Sequence, residues 1–177
     1  PENISKEKND VYDGVRRLFI ALEYDLEHLG MKSWNPFRSI ITQGMTVVIK
    51  PNFVLSRHDR GKDLFSIITH PSLLRAIVDY VWVALKGRGT IIIADAPQYN
   101  CDFQELLQKT GLREGADFIN SHPGPRLEIR DLRDYWSKKK HFPSQKIKLS
   151  GDPAGKVSVN MFGKSALEKH INISGLY

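Results

Sequence analysis

Two short, unbroken runs of apolar residues constrain the fold of this chain more than any other feature. They occupy residues 45–50 and 90–94, both are rich in β-branched side chains, and a proline follows each of them closely. Proline cannot donate to the hydrogen-bond ladder of a central strand, so Pro51 ends the first run, and Asp95-Ala96-Pro97 closes the second. Continuous apolar runs of this length are typical of strands that are covered on both faces, as parallel strands are.

The segment between the two runs predicts a helix over residues 71–86. Thr69 or His70 stands at the cap position, and Pro71 suits the first helical turn, where a missing N–H costs nothing. Because the segment is apolar on most of its circumference, the helix should be well buried, and Trp82 should lie in the core. A strand, a helix and a second strand in this order predict a parallel βαβ crossover.

The remaining elements are predicted from the spacing of apolar residues and from helix-capping signals. They are a helix over 11–29 capped by Asp10, a helix from Asp102 to Leu107, and short strands at 117–120, 127–132, 145–149 and 156–161, the last two forming a hairpin or two sheet strands. The predicted architecture is one α/β domain over residues 1–177. It has an open, mostly parallel, Rossmann-like sheet with flanking helices, and an added antiparallel element near its C-terminus.

Composition narrows the class of protein. The 177 residues are 41% hydrophobic and 26% charged, which is typical of one soluble globular domain. Cys101 is the single cysteine, so neither a disulfide nor an all-cysteine iron–sulfur cluster can form within this chain. No stretch approaches the roughly 18 apolar residues of a membrane span. These features favour a cytoplasmic protein without a membrane partner, and they leave the cofactor unknown.

A net charge of +6 favours anionic partners. The basic residues are dispersed in separate runs at 16–17, 57–62 and 138–140, which is also how a solvated surface looks. They form no single stripe, and no nucleic-acid recognition motif or interleaved aromatic platform accompanies them. The sequence therefore favours a small anionic molecule over nucleic acid, and it leaves the oligomeric state open.

Polar residues gather where the predicted parallel strands end, which is where ligands bind in open α/β sheets. The start of the connecting helix lies at the same edge, and its dipole favours an anion. Each polar residue also has a structural alternative, as a snorkelling lysine, a turn former or a helix cap. The candidate ligand-binding residues are Lys50, Asn52, Thr69 and Gln98, and the candidate catalytic residues are His70 and Asp95.

Three other sequence features are weaker candidates for a metal site, a reactive thiol or a phosphate-binding loop. His58 and Asp59 are two ligands on a polar loop, too few for a metal site, so no metal is predicted. Cys101 precedes a helix start, where thiol pKa values fall, although a lone cysteine in such a place is more often inert. The glycines at 87 and 89 precede a strand instead of following one, so neither the dinucleotide pattern nor the P-loop pattern applies.

Three motifs in this order resemble those of the domain of unknown function family 362. They are VVIKPNFV, ITHPSLLRAIVDYV and GTIIIADAP, within a similarity that covers residues 15–112 and extends more weakly to KVSVNMFGKSALE. The resemblance implies an α/β fold distantly related to the nickel-pincer lactate racemase group. Many members carry a ferredoxin-like cluster module, which the single cysteine excludes here. The family's later lysine and histidine motifs are missing after Tyr177, which implies a short variant or the N-terminal part of a longer protein.

Three functional hypotheses remain open. The first is an enzyme-type domain that binds a small anionic metabolite, with Lys50 as the anion partner and His70 as the acid–base group. Asp95 would be the orienting carboxylate or a supporting partner of His70. The second is a non-catalytic binding or scaffold domain that uses the same crevice. The third is a nucleic-acid binder driven by the positive charge.

Overall fold

The computed structural model describes residues 7–138, 146–161 and 163–166. Its helices alternate with the strands of a parallel sheet, and a small second sheet follows. The elements are α1 (Asp10–Ala21), β1 (Thr46–Ile49), α2 (Pro71–Ala84), β2 (Thr90–Asp95), α3 (Phe103–Thr110), α4 (Leu112–Asn120), β3 (Arg126–Asp131), β4 (Tyr135–Trp136) and β5 (Ile147–Lys148), with 3₁₀ turns at Leu26–His28 and Leu64–Ser66.

The main sheet has the order β1-β2-β3, and both strand pairs are parallel. Thr46 lies opposite Thr90, which in turn lies opposite Arg126, so the three strands begin together and their carboxyl ends lie at one edge. The predicted parallel pairing of the first two strands through a single helix is confirmed. Strands β4 and β5 pair antiparallel, which confirms the predicted antiparallel element.

The main core lies between one face of the sheet and the helices α2, α3 and α4. Alternate strand residues such as Val47, Ile91 and Leu127 join this core, as the period of a strand requires. The prediction that β1 is covered on both faces is wrong, because Val48 is 60% exposed. Within the described sheet β1 is an edge strand, and Val48 points away from the helical layer.

Helix α1 packs on the outside of α2 through a second, aromatic-rich cluster around Val15 and Phe19. It ends at Ala21 instead of residue 29, and its N-cap is Asn9 instead of Asp10. The helix ends there because Glu23 adopts a left-handed conformation, with φ of 60°, and the Tyr24 N–H donates back to the Phe19 carbonyl over 3.0 Å. Asp25 is left-handed as well, with φ of 53°. Its carboxylate then accepts a hydrogen bond of 2.9 Å from the Asn35 N–H, a contact that the local apolar spacing could not reveal.

Residues 117–120 form the end of α4, so the strand predicted there is wrong. Gly111 has a φ of 65°, a left-handed conformation that glycine adopts freely, and it separates α3 from α4. Leu112, Ala116 and Ile119 are then buried at helical spacing.

The predicted strand at 145–149 shortens to β5, and residue 145 lies outside the described residues. Residues 156–161 form no strand, so the predicted hairpin with 145–149 is wrong, and β5 pairs with β4 instead. Two residues per strand suffice here because the backbone of Leu149 also donates to the carbonyl of Asp134, over 2.7 Å.

Trp82 is half-buried, not fully buried as predicted. Its ring lies directly against Gly124, where a Cβ would overlap the indole, and Gly124 has a φ of 152°. The other side of the ring borders an open groove between α2 and α4, together with Val83 and Phe118. The helix is therefore well packed on its sheet side and partly open at Trp82.

Candidate functional site

Asp95, at the end of β2, connects the loop after β1 to the loop after β2 through hydrogen bonds. Its side chain is 6% exposed, and its two oxygens accept hydrogen bonds from the backbone N–H groups of Phe53, over 2.7 Å, and Ala96, over 2.8 Å. The Lys50 ammonium lies 3.0 Å from the same carboxylate. Asp95 is thus a buried acceptor that joins the loop after β1 to the loop after β2.

Lys50 stands at the end of β1 with its side chain 67% exposed. Besides the ion pair with Asp95, its ammonium donates to the carbonyl of Pro51 over 2.9 Å. Water screens an ion pair this open, so it contributes little to stability. An anion in solution can therefore reach Lys50, in competition with Asp95.

Asn52, Thr69 and His70 connect the loop after β1 to the start of α2. The Asn52 N–H donates to Thr69 Oγ1 over 2.8 Å, and the Thr69 N–H donates to the Asn52 carbonyl over 2.9 Å. His70 is the N-cap of α2, where its Nδ1 accepts from the Ser72 N–H over 3.2 Å. The His70 ring is exposed and packs against Phe65, with centroids 4.4 Å apart. An accepting Nδ1 leaves Nε2 as the nitrogen available to a ligand.

Gln98 and Arg133 hold the loop after β2 against the chain after β3. The Gln98 N–H donates to the Val54 carbonyl over 3.1 Å, and its carbonyl accepts from the Arg133 guanidinium over 2.8 Å. Arg133 is 7% exposed and also forms a two-pronged ion pair with Asp131. Gln98 therefore contacts both segments through its backbone, and its exposed side-chain amide takes no part in these hydrogen bonds.

A crevice of about 670 Å³ opens outside the carboxyl ends of β2 and β3, and we call it the edge crevice. Its volume lies in the range of small-molecule sites, about 300–1,000 Å³. The six residues predicted as site residues do not line it. Its lining consists of Ala96, Pro97 and Tyr99 after β2, residues 132–137 after β3, and Lys146 and Lys156.

The edge crevice combines positive charge with aromatic surface. The Lys146 ammonium lies over the Tyr135 ring, 5.8 Å from its centroid, and has no carboxylate partner among the residues that the structure describes. Lys156, in contrast, forms an ion pair with Asp134. The Trp136 Nε1–H is buried and lacks a hydrogen-bond partner in the described part of the chain. Buried donors without partners are rare and call for an explanation.

Sequence reasoning missed this crevice because it stopped at the first two strand ends. The signal was present, since Arg133, Tyr135 and Trp136 follow β3 directly, as Lys50 follows β1. The rule that ligand sites gather at the carboxyl ends of parallel strands applies equally to a third strand.

The structure gives no reactive environment to Cys101, and it assigns His58 a hydrogen bond within its own loop. Burial raises the pKa of the Cys101 thiol to about 11, which disfavours the nucleophilic thiolate. His58 uses Nδ1 to accept from the Arg60 N–H over 3.0 Å. Across residues 7–138, 146–161 and 163–166, no three His, Cys, Asp or Glu side chains cluster in a way that could hold a metal ion. In the same residues, no helix has the length and apolarity to cross a membrane.

Comparison with protein families gives one match. The model of a family described as Domain of unknown function (DUF362) matches residues 47–148, from β1 through β5. This confirms the family that the three motifs indicated. The match begins at residue 47 instead of 15 and continues past residue 112 to 148, which includes Lys146. No curated protein and no solved structure matches the chain.

Proposed function

The chain belongs to the family of the domain of unknown function 362, and on that premise we propose that it is an enzyme-type domain that binds a small anionic metabolite at the carboxyl edge of its parallel sheet. The observation that carries the proposal is the edge crevice, which lies where open α/β sheets bind ligands. It holds an ammonium group, on Lys146, that has no carboxylate partner within the described chain.

The charges of the crevice favour an anion. Its charged lining residues are Arg133, Lys146 and Lys156 against Asp134, which leaves an excess of positive charge. The Arg133 guanidinium is already used by Asp131 and backbone carbonyls, and Lys156 is neutralised by Asp134. Lys146 is therefore the cation best placed to attract a ligand.

The same carboxyl edge of the sheet supplies the other proposed groups, none of which lines the edge crevice itself. Lys50 offers an exposed ammonium, held by Asp95, as a second anion partner. His70 is the acid–base candidate through Nε2, since Nδ1 serves as the helix cap. The exposed amides of Asn52 and Gln98 are the proposed hydrogen-bonding groups. Thr69 completes the proposed set by positioning Asn52, because its own hydroxyl already accepts from the Asn52 N–H.

Titration calorimetry with inorganic phosphate and with citrate tests the proposal. The variants are Lys146→Ala and Lys50→Ala, with Lys86→Ala as the matched control. Lys86 follows α2 at the opposite edge of the sheet, is exposed, and carries the same charge. We expect about tenfold weaker binding for each of the first two variants, in line with about 1.4 kcal/mol for a lost charged contact. Equal losses in all three variants would reduce the effect to bulk charge and would overturn the proposal.

A further inference from the structure

The lining of the edge crevice identifies the class of its ligand more closely, and this step rests on the proposed function. We propose that the ligand is an aromatic carboxylate, a planar ring system that carries a single carboxylate group. The carboxylate would lie between Lys146 and the Trp136 Nε1–H, and the ring would lie against Tyr99, because the Lys146 ammonium already lies over the Tyr135 ring.

The aromatic part of the inference comes from side chains that border the crevice. Tyr99 and Tyr135 both line it, and they are 50% and 49% exposed. Tyrosines held half-open at a crevice offer flat apolar surface, on which planar rings stack favourably. Their backbones are held in place, because the Ser137 N–H donates to the Tyr99 carbonyl over 2.9 Å and Tyr135 belongs to β4.

The carboxylate part of the inference comes from two donors, the Lys146 ammonium and the Trp136 indole N–H, that no acceptor in the described part of the chain satisfies. Lys146 has no carboxylate partner, and the Trp136 indole N–H has no acceptor, among the residues described. One ammonium and one N–H match the two oxygens of a single carboxylate. A phosphate with two charges would need more donors, and the forked guanidinium that suits phosphate, on Arg133, is already engaged by Asp131.

A matched set of three probes tests the inference by titration calorimetry on the full chain. Naphthalene-2-carboxylate has both features, decahydronaphthalene-2-carboxylate keeps the charge on a saturated ring, and naphthalene-2-carboxamide keeps the aromatic ring without the charge. We expect the first to bind at least about tenfold more tightly than either of the others, because stacking and a charged contact each contribute on the order of 1 kcal/mol or more.

The Trp136→Phe variant separates a ligand contact from a structural role. The substitution keeps an aromatic ring and removes only the unpartnered N–H donor and part of the ring. We expect the urea unfolding midpoint to be unchanged or higher without ligand, since an unsatisfied buried donor is removed. Binding of naphthalene-2-carboxylate should nevertheless weaken about tenfold, the effect of losing one hydrogen bond to a charged acceptor.

The outcomes distinguish this inference from the proposed function. Equal affinity for the aromatic and the saturated carboxylate, both lost in Lys146→Ala, would overturn the aromatic assignment and leave anion binding intact. Unchanged binding of naphthalene-2-carboxylate by Trp136→Phe would overturn the assigned role of the indole. If neither the carboxylates nor inorganic phosphate and citrate bind, the proposed function fails and the inference fails with it.

Discussion

Replacing Asp95 should destabilise the fold far more than removing its partner Lys50. Asp95→Ala leaves the Phe53 and Ala96 N–H groups without their acceptor, and the first of these bonds is buried. Hydrogen bonds to a charged group contribute about 1.5–3 kcal/mol each, so the loss of two should be about 3–6 kcal/mol. Lys50→Ala should cost below about 1 kcal/mol, because its side chain is 67% exposed and the ion pair is screened.

Urea unfolding followed by circular dichroism measures both changes in the free energy of unfolding. Asp95→Asn is the intermediate variant, since its amide oxygen can still accept from one of the two N–H groups. We expect its loss to fall between those of the two alanine variants. A loss for Asp95→Ala no greater than that for Lys50→Ala would refute the reasoning, since it would mean that the carboxylate does not hold the two loops.

Three further predictions concern other parts of the structure. Trp82→Ala should lower the free energy of unfolding by about 2 kcal/mol, which is less than the loss of a fully buried tryptophan, because only the side of the ring against Gly124 is packed. A change below about 0.5 kcal/mol, measured by urea unfolding, would contradict that packing. Although burial alone would raise the pKa of Asp25, the hydrogen bond from Asn35 and those from neighbouring side chains hold it below its usual range. The Asp25 carboxylate therefore stabilises the fold above its unfolded-state pKa, and this stabilisation is lost as pH falls through its folded-state pKa. Between pH 6 and pH 3, the free energy of unfolding in urea should fall less steeply for Asp25→Asn than for the unchanged protein. Parallel plots of the free energy against pH would contradict this. The Cys101 thiol should react with a disulfide reagent at pH 8 only when urea unfolds the chain, and rapid reaction of the folded protein would contradict its burial.

The central βαβ unit could be predicted because its signals are local. The apolar runs of β1 and β2 and the proline at the start of α2 each act within a few residues. The end of α1 could not be predicted in this way, since Glu23 takes the left-handed position that glycine usually occupies after a helix. Strand β4 has two residues and exists through pairing with a segment about ten residues further along, so its own sequence carries no strand pattern.

The carboxyl edge as the candidate site followed from the predicted sheet, but the lining of the edge crevice did not. The rule on strand ends directs attention to this edge, where Lys50 and Asp95 form an ion pair. Whether His70 contributes chemistry there stays a prediction, because its described contacts are those of a helix cap. The residues that follow β3 could have been noticed in the sequence, but the crevice also depends on the pairing of β4 with β5, which brings Lys146 to the same place and which local patterns do not predict.

Polar residues at the strand ends are of two kinds: those whose hydrogen-bonding atoms are already occupied within the protein, and those whose atoms are not. Asp95 and Thr69 have their acceptors occupied by backbone N–H groups from other loops, and one of these donors, on Phe53, lies 42 positions away in sequence. The Trp136 indole N–H has no acceptor in the described part of the chain, and the Lys146 ammonium contacts the Tyr135 ring but no carboxylate there. A ligand gains most from groups of the second kind, because it satisfies them without first breaking a bond inside the protein. The same composition at a strand end can therefore close a loop or bind a ligand, and the unsatisfied atoms favour the side of the edge beyond β3.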